Sequence, residues 1–184
     1  TGGTGPAGTY SSMTIAGVCL APAGAINVTG NLTVNRGALL DAGTPGDLPG
    51  NPVLPAVVTV GGNVSVGTGA VLVLGCSPDS NCSSPPDEIG AIAPDRVGGN
   101  LSANGALSVN LHSVAVRGSV SIVGGGGGPS IVAGPNTGAC FGVAGPAPWS
   151  SDPSLVGVPV YSDVEEASVG GNLTIQGVQT CWLG

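Results

Sequence analysis

Apolar and polar residues alternate with a period of two along much of this chain, and the alternation is organised around one phrase. The phrase is Val-x-Gly-[Asn/Ser]-[Leu/Val]-[Ser/Thr]-[Val/Ala/Ile]. It runs from Val28 to Val34, Val60 to Val66, Val97 to Ala103, Val116 to Ile122 and Val169 to Ile175. A degenerate copy, Ser12-Met13-Thr14-Ile15, lacks the leading Val and Gly. Within a copy, Val28, Leu32 and Val34 share one parity and Asn31 and Thr33 the other, as a half-buried strand requires. A second short strand follows after a turn, as in Gly37-Ala38-Leu39-Leu40 and Gly69-Ala70-Val71-Leu72. Recurrence of such units predicts stacked coils, each burying its apolar face on its neighbours.

The fourth residue of each phrase marks the repeat: Ser12, Asn31, Asn63, Asn100, Ser119 and Asn172. Successive markers are 19, 32, 37, 19 and 53 residues apart. We take 19 as the bare coil, enough for three strands with tight corners. The longer intervals then carry insertions, at 41–56, 75–96 and 124–168, where Gly, Pro, Asn and Asp cluster. All three follow their phrase at similar distances and are expected to leave from one corner. The expectation is an all-β, single-stranded parallel β-helix (solenoid) of about six rungs forming one domain over 1–184. Right-handed winding is expected, because a left-handed hexapeptide pattern is only partly kept. Helix is disfavoured by the period and by 35 Gly and 16 Pro.

Composition narrows the classes of function. The chain has no lysine, three arginines (Arg36, Arg96 and Arg117) and a formal charge of −7, which excludes a phosphate-binding surface for nucleic acid and attraction to anionic membranes. No apolar run reaches the ~18 residues of a membrane-spanning helix, so no membrane insertion is expected. Hydrophobic residues make up 41% and charged ones 7%, too apolar for a disordered chain. The aromatic share of 3% suits a narrow interior of stacked aliphatic rows.

Five cysteines bear on compartment. Cys76 and Cys82 flank a Ser/Pro/Asn-rich loop and are candidates for a local disulfide in an oxidising environment. Cys140 lies in the third insertion, and Cys19 and Cys181 fall in the first and last repeats at similar offsets, so an intermolecular bond between the latter is a candidate. This usage points to a secreted or cell-surface protein. Asn31, Asn63, Asn100 and Asn172 begin Asn-x-[Ser/Thr] sequons, as do Asn27 and Asn81. Because the sequon falls out of the repeat itself, stacking amides in a ladder is the preferred reading over glycosylation.

Catalysis and metal binding find little support in the spacing. The acids are expected in the insertions: Asp41 and Asp47 in the first, Asp79, Asp87, Glu88 and Asp95 in the second, Asp152, Asp163, Glu165 and Glu166 in the third. Solvated loop acids are the preferred reading over a glycosidase pair. His112, the single histidine, is read as a surface or satisfied residue, and no His/Cys ligand spacing or calcium repeat is present. No cofactor, no metal and no catalytic residue are expected. Gly124 to Gly128 is not followed by the Lys-Ser/Thr of a phosphate loop. Trp149 and Tyr161 are read as loop anchors and Trp182 as an end plug.

The Gly-Asn-[Leu/Val]-[Ser/Thr]-[Val/Ile] phrases, such as Gly62 to Val66 and Gly171 to Ile175, resemble those of bacterial polymer-forming β-helix proteins such as bactofilins, and of adhesin passenger solenoids. The resemblance covers about half the chain and implies self-assembly or a surface scaffold; the long Pro/Gly insertions and the cysteines depart from bactofilins. The expected function is a secreted structural protein that is its own partner, stacking head to tail into an extracellular filament or surface layer. Neither end of the stack shows a capping helix, and uncapped sheet edges invite such contacts. One alternative is a binding module for polysaccharide or ice, using an outward row of Thr14, Thr33, Ser65, Ser102, Ser121 and Thr174. The other is a polysaccharide-degrading enzyme.

Overall fold

The computed structural model describes residues 3–4, 7–21, 24–43, 56–75, 95–126 and 162–179. These residues are all-β, with no helix among them, and build three parallel six-stranded sheets. Sheet A holds β1 (Gly3–Thr4), β4 (Val18–Leu20), β7 (Leu39–Asp41), β10 (Val71–Gly75), β13 (Ser108–His112) and β16 (Asp163–Glu165). Sheet B holds β2 (Gly8–Tyr10), β5 (Gly24–Val28), β8 (Ala56–Val60), β11 (Asp95–Val97), β14 (Val114–Val116) and β17 (Ser168–Val169). Sheet C holds β3 (Met13–Ile15), β6 (Leu32–Val34), β9 (Val64–Val66), β12 (Leu101–Asn104), β15 (Val120–Val123) and β18 (Leu173–Gln176). Each sheet takes every third strand, so the chain visits A, B and C in rotation, the connectivity of a parallel β-helix.

Sheet C is the repeated phrase. Its inward rows run Met13–Leu32–Val64–Leu101–Val120–Leu173 and Ile15–Val34–Val66–Ala103–Ile122–Ile175, in unbroken register. Leu32, Val64, Leu101 and Val120 are completely buried. Sheet B adds the row Tyr10–Val28–Val60–Val97–Val116–Val169. These rows and the inner face of sheet A, including Leu40, Leu72, Leu74 and Leu111, merge into one apolar core. Leu101 touches residues of the coils on both sides of it, so each coil is stable chiefly because its neighbours remove its apolar row from water.

Sheet A departs from simple alternation. Strand β10 is buried at Val71, Leu72, Val73 and Leu74, and β13 is buried throughout. A second cluster of Leu39, Val71, Val73 and Leu107, with Val18 and Leu20 against it, covers the outer face. A strand buried on both faces loses its period of two and reads as a continuous apolar run.

The insertions fall inside the expected bounds 41–56, 75–96 and 124–168, each a little shorter, and do not share a corner. Asp41 closes β7, Ala56 opens β8, Gly75 closes β10, and Asp95 and Arg96 begin β11. The first two insertions join sheet A to sheet B. The third lies between β15 and β16 and so joins sheet C to sheet A. Its expected bounds extend to 168 because β16 and Glu166 after it are rich in acids and resemble solvated loop. The A-to-B connection of that part of the stack is a single residue, Ser113, with φ of 55°. Its counterpart one coil on is Glu166, with φ of 51°.

Candidate functional site

Three features of the stack bear on function: the Asn ladder with its row of hydroxyls, the last strand of sheet C, and a buried polar cluster on sheet A.

The markers precede consecutive register partners of sheet C and are joined by hydrogen bonds. The backbone N–H of Asn63 donates to the amide oxygen of Asn31, that of Asn100 to Asn63 and that of Ser119 to Asn100, each at 2.8 Å. The N–H of Asn172 donates to the Ser119 hydroxyl at 3.0 Å. The ladder is therefore side chain to backbone, not amide to amide as expected. It satisfies an N–H at the B-to-C corner, where the strand ladder is interrupted. It also explains the preceding glycine. A Cβ at Gly62, Gly99 or Gly118 would collide with the amide oxygen of Asn31, Asn63 or Asn100, and one at Gly171 with the Ser119 hydroxyl. On the outer face of the same sheet Thr14, Thr33, Ser65, Ser102, Ser121 and Thr174 are register neighbours in one line. Strand spacing sets them about 4.8 Å apart.

At β18 the apolar row ends. Leu173 is 49% exposed, whereas its row partners Leu32, Val64, Leu101 and Val120 are 0% exposed. Ile175, Val169 and Val178 are only partly buried against the core. The outer side of the last described coil thus presents aliphatic side chains at positions that the inner coils bury.

The acids do not avoid the strands. Asp41, Asp95, Asp163 and Glu165 lie on β7, β11 and β16, and Asp41, Asp95 and Asp163 are buried. Asp95 holds an inward position in the row Ile26–Val58–Asp95–Val114. Its carboxylate accepts the N–H of Val58 at 2.8 Å and of Gly75 at 2.9 Å, tying sheet B to the end of β10. Burial pushes its carboxyl up to about 7, against the opposing pull of those two N–H groups. Asp41 accepts the N–H of Gly43 at 3.1 Å at the same corner. The sequence signal was present: Asp95-Arg96-Val97 precedes Gly98-Gly99-Asn100 as Val58-Thr59-Val60 precedes Gly61-Gly62-Asn63.

His112, expected at the surface or satisfied, is 6% exposed, and its Nε2 lies 3.2 Å from Oδ2 of Asp163. Strands β13 and β16 are adjacent, with Asn110 opposite Asp163 and His112 opposite Glu165. Ser108, Asn110 and Ser162 complete a buried polar group: the Asn110 amide donates to the Ser108 hydroxyl at 2.9 Å, and the N–H of Val109 to the Ser162 hydroxyl at 3.2 Å. His112, Asp163 and Glu165 are thus brought together by the topology although 51 residues separate the first two.

Cys19 lies on β4, covered by β1 on one side and β7 on the other, in the inward row with Leu40. It is therefore not on the outermost coil, and a disulfide between stacked copies through Cys19 loses its geometric basis. The sequence reading missed β1, which precedes the first marker. Cys76, Cys82, Cys140, Cys181, Asn81, Trp149, Tyr161 and Trp182 lie outside the described residues. On the outer face of sheet B, Arg96, Arg117, Thr59 and Ser168 help line an open groove of about 540 Å³. No helix among the described residues is long and apolar enough to cross a membrane. Compared with known proteins, the chain matches no family model, no curated protein and no solved structure.

Proposed function

We propose that this chain is an extracellular scaffold subunit, a right-handed solenoid of six rungs that associates with its own copies end to end. The observation that carries the reading is the exposure of Leu173 at a position where four register partners are fully buried. A second copy set with Met13 over Leu173 and Ile15 over Ile175 would extend both aliphatic rows of sheet C and remove them from water.

The junction is not seamless, and this gives the test its edge. Inside the stack each ladder acceptor faces a glycine of the next coil, but a copy placed over Asn172 would bring Ser11, whose Cβ occupies the place of that glycine. Ser11→Gly is expected to strengthen association roughly tenfold or more and Leu173→Asp to abolish it, the latter by placing a charge against an apolar row. Sedimentation velocity across a concentration series reads both. Wild-type and Ser11→Gly proteins that remain monomeric at the highest concentration, or a Leu173→Asp protein that associates as wild type does, overturn the reading.

A second reading rests on the line of hydroxyls on sheet C. Six in-register Ser and Thr side chains form a flat uncharged array suited to a crystalline polysaccharide. Ice is disfavoured because Ser65, Ser102 and Ser121 lack the threonine methyl. Retention on crystalline cellulose, lost on Ser65→Lys with Ser102→Lys, would replace self-association as the primary function.

A further inference from the structure

We propose that the last two strands of sheet A hold one divalent first-row transition-metal ion, of the zinc type, between His112, Asp163 and Glu165. The inference goes beyond the scaffold reading and does not depend on it. One ligand atom from each residue lies within 4.8 Å of the other two. Their positions follow from register: Asp163 and Glu165 have the same parity on β16 and sit opposite Asn110 and His112 of β13. Both strands then turn at once, at Ser113 and Glu166, with φ of 55° and 51°. Corners that tight in non-glycine residues fix where the preceding side chains leave the sheet. Nε2 of His112 and Oδ2 of Asp163 are 3.2 Å apart, close to the spacing of about 3.4 Å between two ligands of a tetrahedral zinc ion with bonds near 2.0–2.2 Å.

The hydrogen bonds within the cluster leave the second carboxylate oxygen of Asp163 unexplained. Asp163 is 3% exposed, and its Oδ1 is buried with no hydrogen-bond partner. A carboxylate oxygen kept from water without a donor is costly, and a cation is the partner that removes the cost. Two neighbouring polar groups are engaged with other partners: the Ser162 hydroxyl takes the Val109 N–H, and Glu166 accepts from the Ser113 hydroxyl at 2.9 Å. Glu165 is half-buried, which leaves a side from which an ion and water reach the site. One imidazole and two carboxylates select zinc, cobalt or iron over calcium and magnesium, whose shells are all oxygen.

The test uses untagged protein stripped of metal and titrated with zinc chloride by calorimetry, beside His112→Ala and Glu165→Gln. His112 is the single histidine, so one pair of imidazole ¹⁵N resonances reports the site directly. The expected result is one histidine-dependent ion per chain, resonances that shift on saturation, and no displacement by millimolar calcium or magnesium. Affinity should fall roughly 100-fold or more in His112→Ala and about 30-fold in Glu165→Gln, a ligand counting for at least as much as an outer partner. Glu165→Gln alters a half-buried position and keeps the test valid if His112→Ala misfolds. Imidazole resonances unmoved by zinc, equal displacement by calcium, or Glu165→Gln within threefold of wild type would overturn the proposal.

Discussion

A glycine and an asparagine account for the repeated phrase. The Asn amide oxygen takes the N–H of the next coil, and the glycine leaves room for it; each residue requires the other one coil away. The pair was visible in the sequence as a pattern, but its cause was not, because the partners are 19 to 53 residues apart. The strand position of Asp95 is legible from the phrase that follows it, but its role is not: it replaces an apolar residue in an inward row, and the two N–H groups that repay it come from Val58 and from Gly75, at the end of a strand in another sheet. Its carboxyl ionises at about 7 in the fold and near 3.8 in the unfolded chain. Between those values the native state keeps a proton that the unfolded state has released. Stability from this group therefore falls as pH rises from about 4 to about 7 and is level above that range. Asp95→Asn cannot ionise, so its urea unfolding energy relative to wild type should change by about 3 to 4 kcal/mol between pH 4 and pH 8. Parallel pH profiles for the two proteins would contradict this. Asp95→Ala leaves both N–H groups buried without an acceptor and should cost roughly 2–5 kcal/mol at pH 5 in the same melts.

At the scale of the element, legibility tracked burial on one face. Strands β6, β9, β12, β15 and β18 all lie in the phrase, with Leu or Val inward and Ser or Thr outward, and alternation found every one. Sheet A was harder, because β10 and β13 are buried on both faces and carry no alternation. Strand β16 was missed outright: its Asp and Glu resemble solvated loop, yet they stand opposite Asn110 and His112 of a neighbour. The polar cluster was therefore invisible to spacing, since its members meet only through register. The same row of sheet C gives a stability contrast. Leu101 is fully buried mid-stack and Leu173 is half exposed at its end. Leu101→Ala should lose about 3–5 kcal/mol, a cavity forming between coils. Leu173→Ala should lose under about 1 kcal/mol in the monomer. Chemical denaturation at low protein concentration compares them, and equal losses would mean that the outer coil is covered.

Taken whole, the molecule is a column in which stabilising contacts run along one axis. Coils inside it are covered on both sides, and the last described one is not, so on the proposed reading a further layer would take Leu173 and its neighbours out of water. The polar cluster lies on the last two strands of sheet A and Leu173 on the last strand of sheet C, so variants at His112 and at Leu173 test metal binding and stacking separately. Concentrated protein imaged by electron microscopy with helical averaging tests the central claim most directly. The account predicts unbranched filaments one column wide whose subunit rise is about 29 Å, six strand spacings of about 4.8 Å. A field of single short particles, or fibres whose rise does not match one column, would contradict it.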